Sequence, residues 1–128
     1  MNKQTKFILF AVLIIVIIGG IGTFFAIKNS KASSKLDGFA QCLTDSGAKF
    51  YGTFWCSHCQ NQKKMFGNSK QYIPYVECST SDGQSQLRIC KDAGIEGYPT
   101  WVFADGTELS GELPLDVLAE KTQCVLPE

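Results

Sequence analysis

The stretch Phe54-Trp55-Cys56-Ser57-His58-Cys59 constrains this chain more than any other. Two thiols three residues apart follow an aromatic pair, where the apolar run 48–54 gives way to helical spacing. With Cys56 at the mouth of a helix, unsatisfied N–H groups and the positive dipole end face its sulfur and stabilise a thiolate. Cys59, one turn further in, falls on the same helical face and can displace a partner bound at Cys56. The same pair would also serve as half of a zinc site, which wants a second Cys-x-x-Cys or a histidine pair. The other cysteines are Cys42, Cys78, Cys90 and Cys124, and the single histidine lies inside the motif. Thiol–disulfide exchange is therefore the reading, with neither metal nor cofactor expected.

Around this motif the apolar spacing predicts alternating helices and strands. Helices are expected over 36–46, from the Cys-x-x-Cys turn to near Gly67-Asn68, over 86–93 and over 114–122, the last with Pro114 in its first turn. Strands are expected over 48–54, 75–77, 97–103 and 107–110, the last two joined by an Asp105-Gly106 turn. The order α-β-α-β-α-β-β-α points to a small mixed sheet flanked by helices. A core of this size gains from staples. Cys78 and Cys90 flank the loop around Asp82-Gly83, and Cys42 and Cys124 bracket the domain. Two structural disulfides, Cys78–Cys90 and Cys42–Cys124, are expected on that basis; buried free thiols are the alternative.

The N-terminus reads differently. Residues 7–27 carry no charge and, at about 1.5 Å per residue, span roughly 31 Å, the thickness of a bilayer core. The run exceeds the apolar stretch of a signal peptide, so an uncleaved transmembrane helix is expected after a short tail, 1–6. Residues 28–35 read as a flexible linker, and 36–128 as the folded domain. The lysines on either side of the span balance, so orientation rests on the cysteines. Six in 128 residues suit an oxidising compartment, which places the domain outside the cytoplasm on a single-pass anchor. The chain is neutral as a whole, but 36–128 carries a net charge of −5. No nucleic-acid partner is expected of an acidic domain.

The motif, followed forty residues later by Gly97-Tyr98-Pro99-Thr100 and then a hairpin and a helix, resembles the thioredoxin superfamily. The resemblance implies a thioredoxin-like fold for 36–128 and a thiol–disulfide oxidoreductase with Cys56, Cys59, His58 and Pro99 in the catalytic site. It also implies a cis peptide bond before Pro99 and a substrate chain held by Trp55, Tyr98 and Pro99. More narrowly, Phe39-Ala40-Gln41-Cys42, Tyr75-Val76-Glu77-Cys78 and Gly94-Ile95-Glu96-Gly97 are similar to the thioredoxin-like domain fused to, or partnered with, vitamin K epoxide reductase homologues. That likeness implies exchange with reduced secreted proteins and electron transfer to a quinone-linked membrane oxidase of that family. A disulfide reductant, as in cytochrome maturation, and a non-catalytic chaperone or scaffold are the alternatives. One departure concerns the buried acid that thioredoxins carry six residues before the first cysteine. Phe50 stands there, leaving Glu77 as a candidate proton relay or simply a solvated edge carboxylate. His58 is either a solvated loop histidine or a cation that lowers the Cys56 pKa, as in the Cys-Pro-His-Cys of DsbA-type oxidases. Ser57 stands in place of that proline.

Overall fold

The computed structural model describes residues 2–27 and 34–128, with side chains in the first segment described as far as Ile17. Contacts divide the chain into two units, Met1–Ser33 and Ser34–Glu128. The first holds helix α1 (Lys3–Ile27). Among the described residues no helix is long and apolar enough to cross a membrane. This corrects the expected transmembrane helix over 7–27, and the single-pass, extracytoplasmic membrane localisation built on it is corrected with it. Most of the expected linker, 28–33, lies outside the described residues.

The second unit contains α2 (Asp37–Asp45), β1 (Lys49–Gly52), α3 (Ser57–Met65), a 3-10 turn (Gly67–Gln71) and β2 (Tyr75–Glu77). It continues through α4 (Arg88–Asp92), β3 (Thr100–Val102), β4 (Glu108–Ser110) and α5 (Leu115–Thr122). The four strands form one mixed sheet in the order β2-β1-β3-β4. β1 runs parallel to β2, with Phe50 opposite Tyr75, and antiparallel to β3, with Phe50 also opposite Trp101. β3 and β4 form the hairpin, closed at Gly106 with φ +81° and a bond from its N–H to the Phe103 carbonyl (2.9 Å).

β1 is central and buried from Phe50 to Gly52, so both sheet faces need cover. On one face Phe50 stacks on Trp101 with ring centroids 4.8 Å apart, beneath Phe39 and Leu43 of α2, Phe66 after α3 and Leu118 of α5. On the other, Tyr51 and Ile95 pack around Cys78 and Cys90. The spacing of Phe39, Ala40 and Leu43 at one and three residues gives α2 its buried face, and Gly47 at φ +82° ends the turn after it. β3 is shorter than expected because Pro99, lacking an N–H, cannot open the ladder. α4 is a helix of only five residues, since Leu87 in extended conformation delays its start. This sheet puts the C-terminal end of β1 next to the segment entering β3, and both lead to the two thiols.

Candidate redox site

Cys56 is the N-cap of α3, with extended backbone angles (φ −74°, ψ 115°). Its Sγ accepts the N–H of Cys59 at 3.1 Å, and its carbonyl accepts the N–H of Gln60 at 3.1 Å. A sulfur therefore occupies the place usually taken by a capping oxygen. Negative charge developing there meets an N–H donor and the positive end of a nine-residue helix. Cys56 and Cys59 are joined as a disulfide, with Cα atoms 5.2 Å apart. Cys56 is 8 % exposed and Cys59 not at all, so an incoming sulfur reaches the first and not the second. Behind Cys59 the chain leaves no spare room. A Cβ at Gly52 would stand 3.0 Å from Cys59 Sγ and 3.0 Å from the Tyr75 ring.

The peptide bond between Tyr98 and Pro99 is cis, and Pro99 is fully buried. The Pro99 carbonyl accepts the N–H of Gly111 (2.8 Å). The N–H and carbonyl of Tyr98 have no partner among the described residues, which leaves one backbone donor and one acceptor free to pair with another chain. The Tyr98 ring meets Trp55 edge-on, with centroids 6.3 Å apart. Trp55 and Phe54 are each about half exposed, an apolar surface beside Cys56. Thus Trp55, Cys56, Cys59, Tyr98 and Pro99 are brought into one region.

His58 pairs with Glu112. Its ring is exposed, and Nδ1 lies 2.5 Å from Oε1 of Glu112, on the connection between β4 and α5. Asn61 Nδ2 donates to the same oxygen at 3.2 Å. The hydrogen bond from His58, then that from Asn61, holds the Glu112 carboxyl below the usual glutamate range. Next along, the buried amide of Gln62 donates to the Leu113 carbonyl (2.9 Å) and accepts the Leu113 N–H (2.7 Å). No spacing in the sequence announces Glu112 or Gln62, because each acts on residues more than fifty positions away.

Glu77 is a structural anchor. Its Oε1 accepts the N–H groups of Phe54 (3.2 Å), Cys78 (3.1 Å) and Ser79 (2.9 Å), and Oε2 accepts the Tyr75 hydroxyl (2.7 Å). The end of β2 is so tied to the turn carrying the first thiol. Burial, then the hydrogen bond to Glu77 and its charge, push the Tyr75 hydroxyl well above the ordinary tyrosine range. Lys63 lies over the Tyr75 ring at 3.2 Å, and burial is the main cause of its lowered pKa.

The remaining cysteines are paired with one another. Cys78 is bonded to Cys90 and Cys42 to Cys124, with Cα separations of 5.6 and 5.8 Å, inside the ordinary disulfide range. The first staples the loop between β2 and α4; the second ties α2 to the segment after α5. Among the described residues no group of three or more His, Cys, Asp or Glu side chains is placed to hold a metal ion.

No family model matches the chain. Over 98 residues it is 46 % identical to the thiol-disulfide oxidoreductase LTO1 of Arabidopsis thaliana, a match covering 73 % of this chain and 26 % of that protein. Over 68 residues it is 34 % identical to a probable protein disulfide-isomerase ER-60 of Schistosoma mansoni, covering 50 % and 14 % respectively. The core domain is related to the thioredoxin superfamily. Its Cys56–Cys59 pair is a redox-active disulfide consistent with a thioredoxin-like oxidoreductase active site. The matches span about a quarter or less of the relatives' own length. The expected relay of electrons to a vitamin K epoxide reductase-like membrane oxidase is corrected. It required the domain to be held at a membrane surface through 7–27, and no such span is present among the described residues.

Proposed function

We propose that the thioredoxin-like domain reduces disulfides in protein substrates. The observation that carries this reading is the sulfur of Cys56 at the α3 N-cap, accessible and donor-stabilised, with Cys59 buried one turn behind it. The Cys56 thiolate attacks a substrate disulfide, one substrate sulfur leaves as a thiolate, and a mixed disulfide forms at Cys56. The Cys59 thiolate then attacks Cys56 Sγ, releasing the second substrate sulfur and closing the Cys56–Cys59 bond. Two electrons pass to the substrate. The free N–H and carbonyl of Tyr98 pair with the substrate backbone beside the reacting sulfur, and Trp55 supplies apolar contact. Pro99 fixes the direction of that carbonyl.

The direction of flow is supported by His58. An imidazolium turned toward Cys56 would stabilise the reduced thiolate and make the disulfide strongly oxidising. Instead the ring is engaged by Glu112, whose negative charge offsets that field. The equilibrium potential of Cys56/Cys59 is therefore expected nearer to about −270 mV than to about −120 mV, the values of thioredoxin and DsbA. Equilibration with glutathione or dithiothreitol buffers measures it; a value near −120 mV would refute the reductive direction. In Cys59→Ala the domain should accumulate mixed disulfides with substrates through Cys56, and Cys56→Ala should form none. Complexes accumulating on Cys59 would overturn the assignment of the two roles.

A further inference from the structure

Beside the redox turn lies a cleft of about 120 Å³ that the exchange reaction does not use. Its walls include Thr53 and Trp55 on one side, Tyr98 on another, and Ser79, Gln84 and Ser85 from the loop between β2 and α4. We propose that this cleft is a specificity subsite that takes an uncharged, hydrogen-bonding side chain of the substrate, of the serine, threonine or asparagine kind, close to the reacting cysteine. This rests on the reading of the domain as a disulfide reductase.

Three observations lead there. The first is position. Trp55 directly precedes the attacking Cys56, and Tyr98 carries the unpaired backbone N–H and carbonyl on which a substrate backbone would lie. A side chain projecting from a substrate held at those two residues meets the cleft between them. The second is rigidity. The far wall is a loop stapled by Cys78–Cys90 and cross-braced within itself. The Thr80 N–H donates to the Ser85 carbonyl (2.9 Å), the Leu87 N–H to the Cys78 carbonyl (2.7 Å), and the Ser85 N–H to Thr80 Oγ1 (3.1 Å). The wall is also fixed to the redox turn, because Trp55 Nε1 donates to Ser79 Oγ (2.9 Å). Gly83, at φ +73°, lets the loop close against Trp55, where a Cβ would stand 3.5 Å from the indole. The cleft is therefore formed before any substrate arrives, which spares the ordering cost of binding.

The third is chemistry. No charged side chain is among the lining residues, so an acid or a base entering the cleft would lose water without gaining an ion pair. Uncharged hydrogen-bonding groups are in surplus. The Ser85 and Tyr98 hydroxyls and the Gln84 amide have no partner among the described residues. Thr53 is 1 % exposed, and its Oγ1 is buried with no partner among the described residues.

The test uses the full chain, reduced at Cys56 and Cys59, in single turnover with short peptides each closed by one disulfide. A guest residue beside each peptide cysteine is varied through Gly, Ala, Ser, Thr, Asn, Asp and Lys. Serine, threonine or asparagine at one fixed position should be reduced about five- to tenfold faster than glycine there, as one or two added hydrogen bonds allow. Aspartate and lysine should run no faster than glycine. In Ser85→Trp, which fills the cleft, and in Gln84→Ala, which removes a partner, the asparagine-to-glycine ratio should fall towards one. If Ser85→Trp melts far below the parent, Gln84→Ala decides. Rates equal within twofold for all guests, or a preference that survives both substitutions, would overturn the subsite and leave the reductase reading intact. Failure to reduce any peptide, glycine included, would overturn the reductase reading itself.

Discussion

Replacing Gly52 with alanine probes the seat of the redox pair while keeping both cysteines. Gly52 has no positive φ, so the backbone accepts alanine and the cost is steric alone. The added methyl would lie 3.0 Å from Cys59 Sγ, 3.0 Å from the Tyr75 ring and 3.3 Å from Cys59 Cβ. Neither neighbour yields cheaply. The sulfur is held by its bond to Cys56, and the ring is held by its hydroxyl on Glu77 and by edge contact with Phe50 at 5.3 Å. Overfilling a packed site of this kind costs about 1–3 kcal/mol. The reduced freedom of the unfolded chain returns about 0.4–1 kcal/mol of that. A net loss of about 1–2 kcal/mol lowers the melting temperature of a domain this size by about 4–16 °C. Opening the disulfide frees Cys59 Sγ to move, so the loss should be smaller in the reduced protein. A difference of about 1 kcal/mol between the two forms raises the potential by roughly 20 mV. Thermal melts of Gly52→Ala in both redox states, with equilibration against dithiothreitol, read all of this. An oxidised form as stable as the parent would refute the steric account. Equal losses in both states, with the potential unmoved, would show that the ring and not the sulfur bears the clash.

Two further outcomes follow from the residues that hold the site. Glu112 is held below the usual glutamate range by His58, so its contact contributes stability at neutral pH that is lost as pH falls through the folded value. Glu112→Gln should therefore remove part of the parent's loss of urea resistance between about pH 5 and pH 3; parallel profiles for the two proteins would count against the contact. Removing the 78–90 staple as Cys78→Ala with Cys90→Ala opens a 13-residue loop and should cost about 3 kcal/mol. Because Ser79 holds the Trp55 indole, the indole emission should also shift in the folded variant, and an unchanged spectrum would mean that the loop holds its place without the bond.

The alternation of periodicities was legible along 36–128 because helix and strand each leave a repeat in the order of residues. Cys56 at a helix mouth could be read in the same local way, from an aromatic strand followed by helical spacing. What did not show was every contact made at a distance. Glu77 reads in sequence as a glutamate at a strand end, which is usually solvated, yet it accepts four hydrogen bonds and ties β2 to the redox turn. Gln62 reads as one more polar residue on α3, yet it is buried against the backbone of Leu113. His58 offered two sequence readings, solvation or pairing with Cys56, and the structure adds a third partner, Glu112, that neither contained. At the other end of the chain, hydropathy over 7–27 suggested a span that the described residues do not supply.

These distant contacts divide the labour of the site. The interaction that stabilises the Cys56 sulfur is local, since the donor is the N–H of Cys59 three residues on, and any chain that keeps the α3 N-terminus keeps it. The surface around that sulfur is assembled from elsewhere: Ser79 sets the Trp55 indole, Glu77 the Phe54 N–H, and Glu112 the His58 ring. Substitutions in α3's first turn should therefore change whether exchange occurs at all. Substitutions at Ser79, Glu77 or Glu112 should change which disulfides are reduced and at what potential, because they move the rim and leave the sulfur capped.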